Sequence, residues 1–310
     1  MDDGALRTIE VKPGARTAIR LLGWLLSLVA IVFFARLVLR HGVTFHGHSA
    51  WQATSVILGG AVFYGLMVSL LAFIWSYLAL SSQDHRHGLL SLGASYLKSQ
   101  FAKYLPGNVF QYAARHALGR QLGVTHGNLA AAAILEGILL ICAAALIVLL
   151  SGQDMARSLF SSLPVVPAWS AIFIVLGVVS LSWLPRPRML QWFPRYSPGN
   201  LLCAFLGYLL FFAGFAAIFL FLLEWLTGLT YPTTRVLSSS SLAWLVGFVI
   251  PGAPAGTGMR EAALALAAGE QTPTAGLLSA IVIFRVITLL GDFLAFCAGL
   301  LISARLNKTS

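Results

Sequence analysis

Charge is what this sequence has least of. Only ten acidic residues occur in 310 positions, and charged residues of both signs make up 10% of the chain, where soluble domains carry about 25%. A water-soluble globular protein is thereby excluded. Cysteine is scarce too. Cys142, Cys203 and Cys297 lie in apolar stretches without metal-ligand spacing, so they read as small buried hydrophobes rather than a disulfide framework. Long polar stretches are missing, the longest polar-containing interval being 89–127, which leaves no room for a soluble catalytic domain. Nor is there a Walker motif, a Gly-x-Ser-x-Gly elbow or a zinc-protease helix. An enzyme and a bound cofactor are therefore not expected.

What fills the chain is hydrocarbon: 58% of residues are hydrophobic. The apolar runs are far longer than the roughly ten-residue alternating segments of a transmembrane barrel, so the expected fold is all-α and membrane-embedded. The net charge of +10 invites a nucleic-acid reading, but most of the excess follows the positive-inside pattern, and no nucleic-acid partner is expected. The polar N-terminal lead and the long first apolar run read as a retained membrane segment rather than a cleaved signal.

Six stretches are long enough to cross about 30 Å of hydrocarbon, near 21–39, 55–80, 129–150, 168–184, 201–226 and 277–303. Their ends carry Trp24, Trp51, Trp75, Tyr77, Trp169, Trp183, Trp225 and Tyr231, as an interfacial aromatic belt requires. Lys and Arg divide 14 to 4 between the two sides, with Arg36 and Arg285 inside spans. Both termini are then expected in the cytoplasm, and the chain in a bacterial inner membrane.

Two further segments, 89–120 and 236–270, are too interrupted to cross. The first contains Lys103, Pro106, Gly107, Asn108, Gln111 and Arg115. The second contains Pro251, Gly252, Gly256, Gly258, Arg260 and Glu261. In each, an Arg follows the Pro-Gly by nine residues from the proline, and the two copies lie 145 positions apart. Breaks at corresponding places in two halves point to a transporter's binding site, and each segment reads as a re-entrant helical hairpin with Pro-Gly at its tip. The domain reading is a first half-repeat over 1–150 and an inverted second half over 151–310, each with two spans, a hairpin and a third span.

Three ionisable residues, Glu136, Arg285 and Asp292, lie inside apolar spans, where an unpaired charge costs several kcal/mol and marks a candidate functional site. Arg115, Arg260 and Arg285, with Lys103, Asn108, Gln111 and Glu261 beside them, are candidates for binding an anionic head. Glu136 and Asp292 are candidate proton carriers. Bland alternatives are a Glu136–Arg285 structural pair and an Arg260–Glu261 pair that fixes the hairpin. The histidine clusters His41, His46, His48 and His85, His87 read as solvated loop residues, not a metal site.

The stretch K-Y-L-P-G-N-V-F-Q-Y-A-A-R at 103–115, with P-G-A-P-A-G-T-G-M-R-E-A-A-L at 251–264 and intramembrane Arg285, resembles the transmembrane region of lysylphosphatidylglycerol synthases, shared with membrane proteins of the YbhN type. The resemblance covers nearly the whole chain. It implies a lipid-flipping function, with Pro106, Gly107, Arg115, Pro251, Gly252, Gly258, Arg260, Glu261 and Arg285 matching the family pattern. One departure stands out: relatives often have Glu-Arg in the third span, whereas this chain has Glu136-Gly137. The expected function is translocation of an anionic lipid, either a phospholipid or a polyprenyl-phosphate-linked glycan. The alternative is a non-transporting subunit that scaffolds a lipid- or glycan-modifying enzyme, which would then be its partner.

Overall fold

A computed structural model describes residues 47–80, 88–104, 110–152, 171–180, 182, 193–249, 259–268 and 274–309. Within them every regular element is helical: α1 (Ala50–Ala79), α2 (Leu89–Ser99) running into a 3₁₀ turn (Gln100–Tyr104), α3 (Phe110–Gln121), α4 (His126–Ser151), α5 (Ala171–Ser180), α6 (Pro198–Thr227), α7 (Thr233–Val249), α8 (Met259–Ala268) and α9 (Thr274–Thr309). Four of them, α1, α4, α6 and α9, are long and apolar enough to cross a membrane. The expected span at 21–39 lies outside the described residues, and that at 168–184 is described as helix only over Ala171–Ser180, ten residues and too few to cross by themselves.

The long helices start where the sequence caps them. Ser49 forms a reciprocal capping box with Gln52, Thr125 accepts from the Asn128 amide, and Ser197 accepts from the Asn200 amide with Pro198 in the first turn. Gly228, at φ 67°, closes α6 in the left-handed conformation that glycine adopts without strain. These four long helices are predominantly apolar on all sides, as buried or membrane-spanning helices are. Leu58, Leu66, Phe73, Leu206, Leu210, Phe221, Phe293 and Leu301 are exposed. Such a surface would be costly in water and costs little in hydrocarbon.

Inside, Tyr208, Phe211, Phe212, Phe215 and Phe219 of α6 form an aromatic spine, joined by Trp244 of α7 and Phe284 of α9. Small residues let α1 and α9 cross closely. A Cβ at Gly291 would sit 2.7 Å from the Ala61 carbonyl oxygen, so even alanine there would push the helices apart.

The neighbour pattern of the elements is ordered. α1 packs on α2, and α6 on α7; α2 packs on α3, and α7 on α8. α9 lies against α1, α2, α6 and α8, while α4 lies against α6, α7, α1 and α3. The two expected hairpin segments are thus each a pair of packed helices. Their Pro-Gly tips, Pro106-Gly107 with Asn108 and Pro251-Gly252 with Gly256 and Gly258, lie outside the described residues.

At the α3–α4 turn, His116 and His126 stack with ring centroids 5.1 Å apart and His116 Nε2 2.8 Å from His126 Nδ1. Burial, then the neighbouring His126 and Arg120 charges, hold His116 below the usual histidine range. A base whose folded pKa is depressed stabilises the fold above its unfolded pKa and loses that contribution as pH falls through the folded value. Thermal stability should therefore fall on acidification from about pH 7.5 to about pH 5. His116→Gln should flatten part of that dependence in melting curves recorded at both pH values.

Candidate functional site

Among the described residues two buried charge clusters occur, and they differ in one respect. The first joins α2, α3 and α4. Arg115 on α3 pairs with Glu136 on α4 through Nη1 and Oε2, both residues being 2% exposed. The Tyr96 hydroxyl donates to the other oxygen, Glu136 Oε1, at 2.7 Å, and Arg115 Nε donates to Ser99 Oγ at 3.4 Å. The guanidinium carbon lies 3.6 Å from the centre of the Tyr96 ring and 5.1 Å from that of Trp75, a desolvated cation–π setting. The charge of Arg115 is therefore answered within the protein. Nearby, Trp75 Nε1 and the Tyr208 hydroxyl are buried without a hydrogen-bond partner.

The second cluster joins the 3₁₀ turn, α8 and α9. Lys103 Nζ donates to Asp292 Oδ1 at 2.7 Å, and the Tyr104 hydroxyl donates to Asp292 Oδ2. Arg285 Nε lies 3.6 Å from Glu261 Oε1. Arg260 is different. Its Nε is buried with no hydrogen-bond partner, and no ion pair to it occurs among the described residues. Trp244 lies beside it, with the ring centre 5.7 Å from the guanidinium carbon, and its aliphatic stem packs on Gly247, where a Cβ would come within 2.5 Å of Arg260 Cγ. The charges of Arg260 and Arg285 both act on Lys103, so the three cations form one group. Against them stand Asp292 and Glu261, leaving one positive charge uncompensated among the described residues.

The same 145-position spacing that relates the two Pro-Gly dipeptides relates the clusters. It carries Arg115 to Arg260, Ser99 to Trp244, Tyr96 to Ser241 and Glu136 to Ile281. Where the first cluster has a carboxylate the second has an isoleucine, and where it has a tyrosine donor the second has Ser241, whose Oγ is buried and unpartnered. Arg260, Ile281, Glu261, Arg285, Trp244 and Phe284 line a common cavity of about 20 Å³, room for a single ordered water.

The structure thus brings together Lys103, Arg260, Glu261, Arg285 and Asp292, and it places Arg115 and Glu136 in the other cluster. Both bland pairings are corrected. Glu136 meets Arg115 rather than Arg285, and Glu261 meets Arg285 rather than Arg260. Gln111, half-buried in the first turn of α3, does not line the cavity. Sequence reasoning missed Tyr96 and Tyr104. The available signal was a phenol inside an apolar stretch, which needs a polar partner when buried. Among the described residues no group of three or more metal-ligating side chains occurs. No protein-family model matches the chain, and a comparison with curated proteins finds no match.

Proposed function

We propose that this protein moves an anionic lipid across the bacterial inner membrane, and that the lipid's phosphate is the missing counter-charge of Arg260. The observation that carries this reading is the buried, unpartnered Nε of half-buried Arg260, which has no ion pair among the described residues and sits in a cluster with one cation in excess. A desolvated charge of this kind costs several kcal/mol unless an anion meets it, and the planar fork of Arg matches phosphate oxygens. Arg285 and Lys103 add positive potential, while Asp292 and Glu261 keep the two from holding the head irreversibly.

In this reading the chain has six spans, two re-entrant hairpins and cytoplasmic termini, and its halves are inverted repeats. The neighbour pattern supports it, since exchanging α1 with α6, α2 with α7, α3 with α8 and α4 with α9 maps the principal contacts onto one another. Such exchange is the geometry of alternating access around a central site. The cavity holds only a water, so the head must enter by separation of the α7–α8 pair from α9, with the Pro-Gly tips as gates. Asp292, which accepts from both Lys103 and Tyr104, is the proton carrier best placed to couple that motion, and Glu136 the second. The small size of the closed cavity is also what favours the other reading, a scaffold for a lipid- or glycan-modifying enzyme.

A scrambling assay in liposomes carrying fluorescent phosphatidylglycerol separates the two. Arg260→Lys keeps charge but loses the fork, and Arg260→Gln loses both. Transport should fall in the order Arg, Lys, Gln, with the Gln variant down about tenfold or more while it still inserts and melts cooperatively. Unchanged transport in a folded Arg260→Gln variant favours the scaffold.

A further inference from the structure

The cationic cavity has an apolar neighbour. A groove of about 240 Å³ runs between α1, α6 and α9, lined by Val56, Gly59, Gly60, Phe63, Phe221 and Ile287 among others, with no polar side chain in its wall. It extends over eight residues of α1 from Val56 to Phe63, roughly 10 Å at the helical rise. Groove and cavity share two helices. On α6, Phe215 lines the cavity and Ile218 and Leu222 line the groove, the i, i+3, i+7 spacing of one helix face. On α9, Phe284 and Thr288 line the cavity and Ile287 the groove. The partition between them is aromatic, with Phe215 6.4 Å from Tyr64 and 4.8 Å from Phe284 between ring centres.

We infer that this groove seats a hydrocarbon chain of the same lipid whose anionic head is drawn to Arg260 and Arg285. The inference rests on the anionic-lipid reading above and adds where the tail lies. A groove without polar lining, lying beside a cationic cavity along one face of α6, matches an amphiphile whose charge and tail are covalently joined. The two glycines shape it. A Cβ at Gly60 would sit 2.8 Å from Ile287 Cδ1, so Gly60 is a tight floor. A Cβ at Gly59 meets nothing within 4 Å, so Gly59 leaves the groove open and a large side chain there would fill it without displacing the fold.

The test uses proteoliposomes containing phosphatidylglycerol with a diazirine in one acyl chain, irradiated and mapped by peptide mass spectrometry. A diacylglycerol with the same diazirine chain is the headless control, and Leu210, exposed on α6, reports ordinary lipid contact. Adducts from the charged probe should concentrate on residues 56–63 and 217–222. They should fall to the Leu210 level in Gly59→Trp and about tenfold in Arg260→Gln, the loss expected of one charge-assisted contact. Groove labelling that is equal from both probes and indifferent to Arg260→Gln would mean bulk bilayer lipid only and would overturn the inference. If Arg260→Gln stops translocation while Gly59→Trp alters neither labelling nor translocation, the tail assignment fails and the head site stands. If Arg260→Gln leaves translocation intact, the functional reading itself fails.

Discussion

A carboxylate at position 281 is expected to silence the protein while stabilising it. Ile281 lines the cavity beside Arg260 and stands where the first cluster has Glu136, the residue that neutralises Arg115. Ile281→Glu would give Arg260 an internal counter-ion and remove its need for a lipid phosphate. Charge-assisted hydrogen bonds contribute about 1.5–3 kcal/mol, so the melting temperature in detergent should rise. Translocation of phosphatidylglycerol should fall by more than tenfold. Ile281→Gln, which has similar bulk and no charge, should lose far less transport. Added to Arg260→Gln, Ile281→Glu should destabilise, because the new carboxylate would itself be buried without a guanidinium facing it. An Ile281→Glu variant that transports as well as wild type would separate Arg260 from the site.

The mirror experiment is expected to unfold rather than silence. Glu136 is the counter-charge of Arg115 and accepts from Tyr96. Glu136→Gln leaves a buried guanidinium between aromatic rings with no charge to meet it, and breaking a buried pair from one side typically costs about 3–5 kcal/mol. A loss of this size should appear as a large drop in melting temperature and in folded yield. Arg115→Gln together with Glu136→Gln should recover much of it, since the double change removes both buried charges. Equal losses in the single and double variants would show that Glu136 acts on something other than Arg115. The contrast between 136 and 281 is therefore sharp: Arg115 has a carboxylate partner, and Arg260 has none among the described residues.

Four of the six expected spans were legible as long apolar helices because nothing competes with them. The run expected at 55–80 and the helix Ala50–Ala79 differ by one residue at the end and by five at the capped start, where Ser49 and Gln52 form their box. The span expected at 277–303 grows at both ends into Thr274–Thr309, since polar residues at a helix end do not break it.

The pairings were not legible. Sequence neighbours Arg260 and Glu261 suggest a pair, but adjacent helical residues point about 100° apart and do not face each other. Glu261 turns to Arg285 instead, leaving Arg260 against Trp244. Arg285 and Asp292 do share a face, yet seven residues separate them by about 10 Å along the axis, enough for one to meet α8 and the other the 3₁₀ turn. Glu136 meets Arg115 because the Gly123 turn, at φ 86°, folds α3 back along α4. Such choices are made by the tertiary packing of helices, which residue spacing alone does not encode.

Retention of lipid by the purified protein tests the central claim most directly. Wild type, Arg260→Gln and Ile281→Glu would each be extracted from bilayers containing equal phosphatidylglycerol and diacylglycerol, and the bound lipid counted by native mass spectrometry. The account predicts selective retention of phosphatidylglycerol by wild type, lost in both variants while each remains folded. Equal retention of phosphatidylglycerol by all three proteins would contradict it.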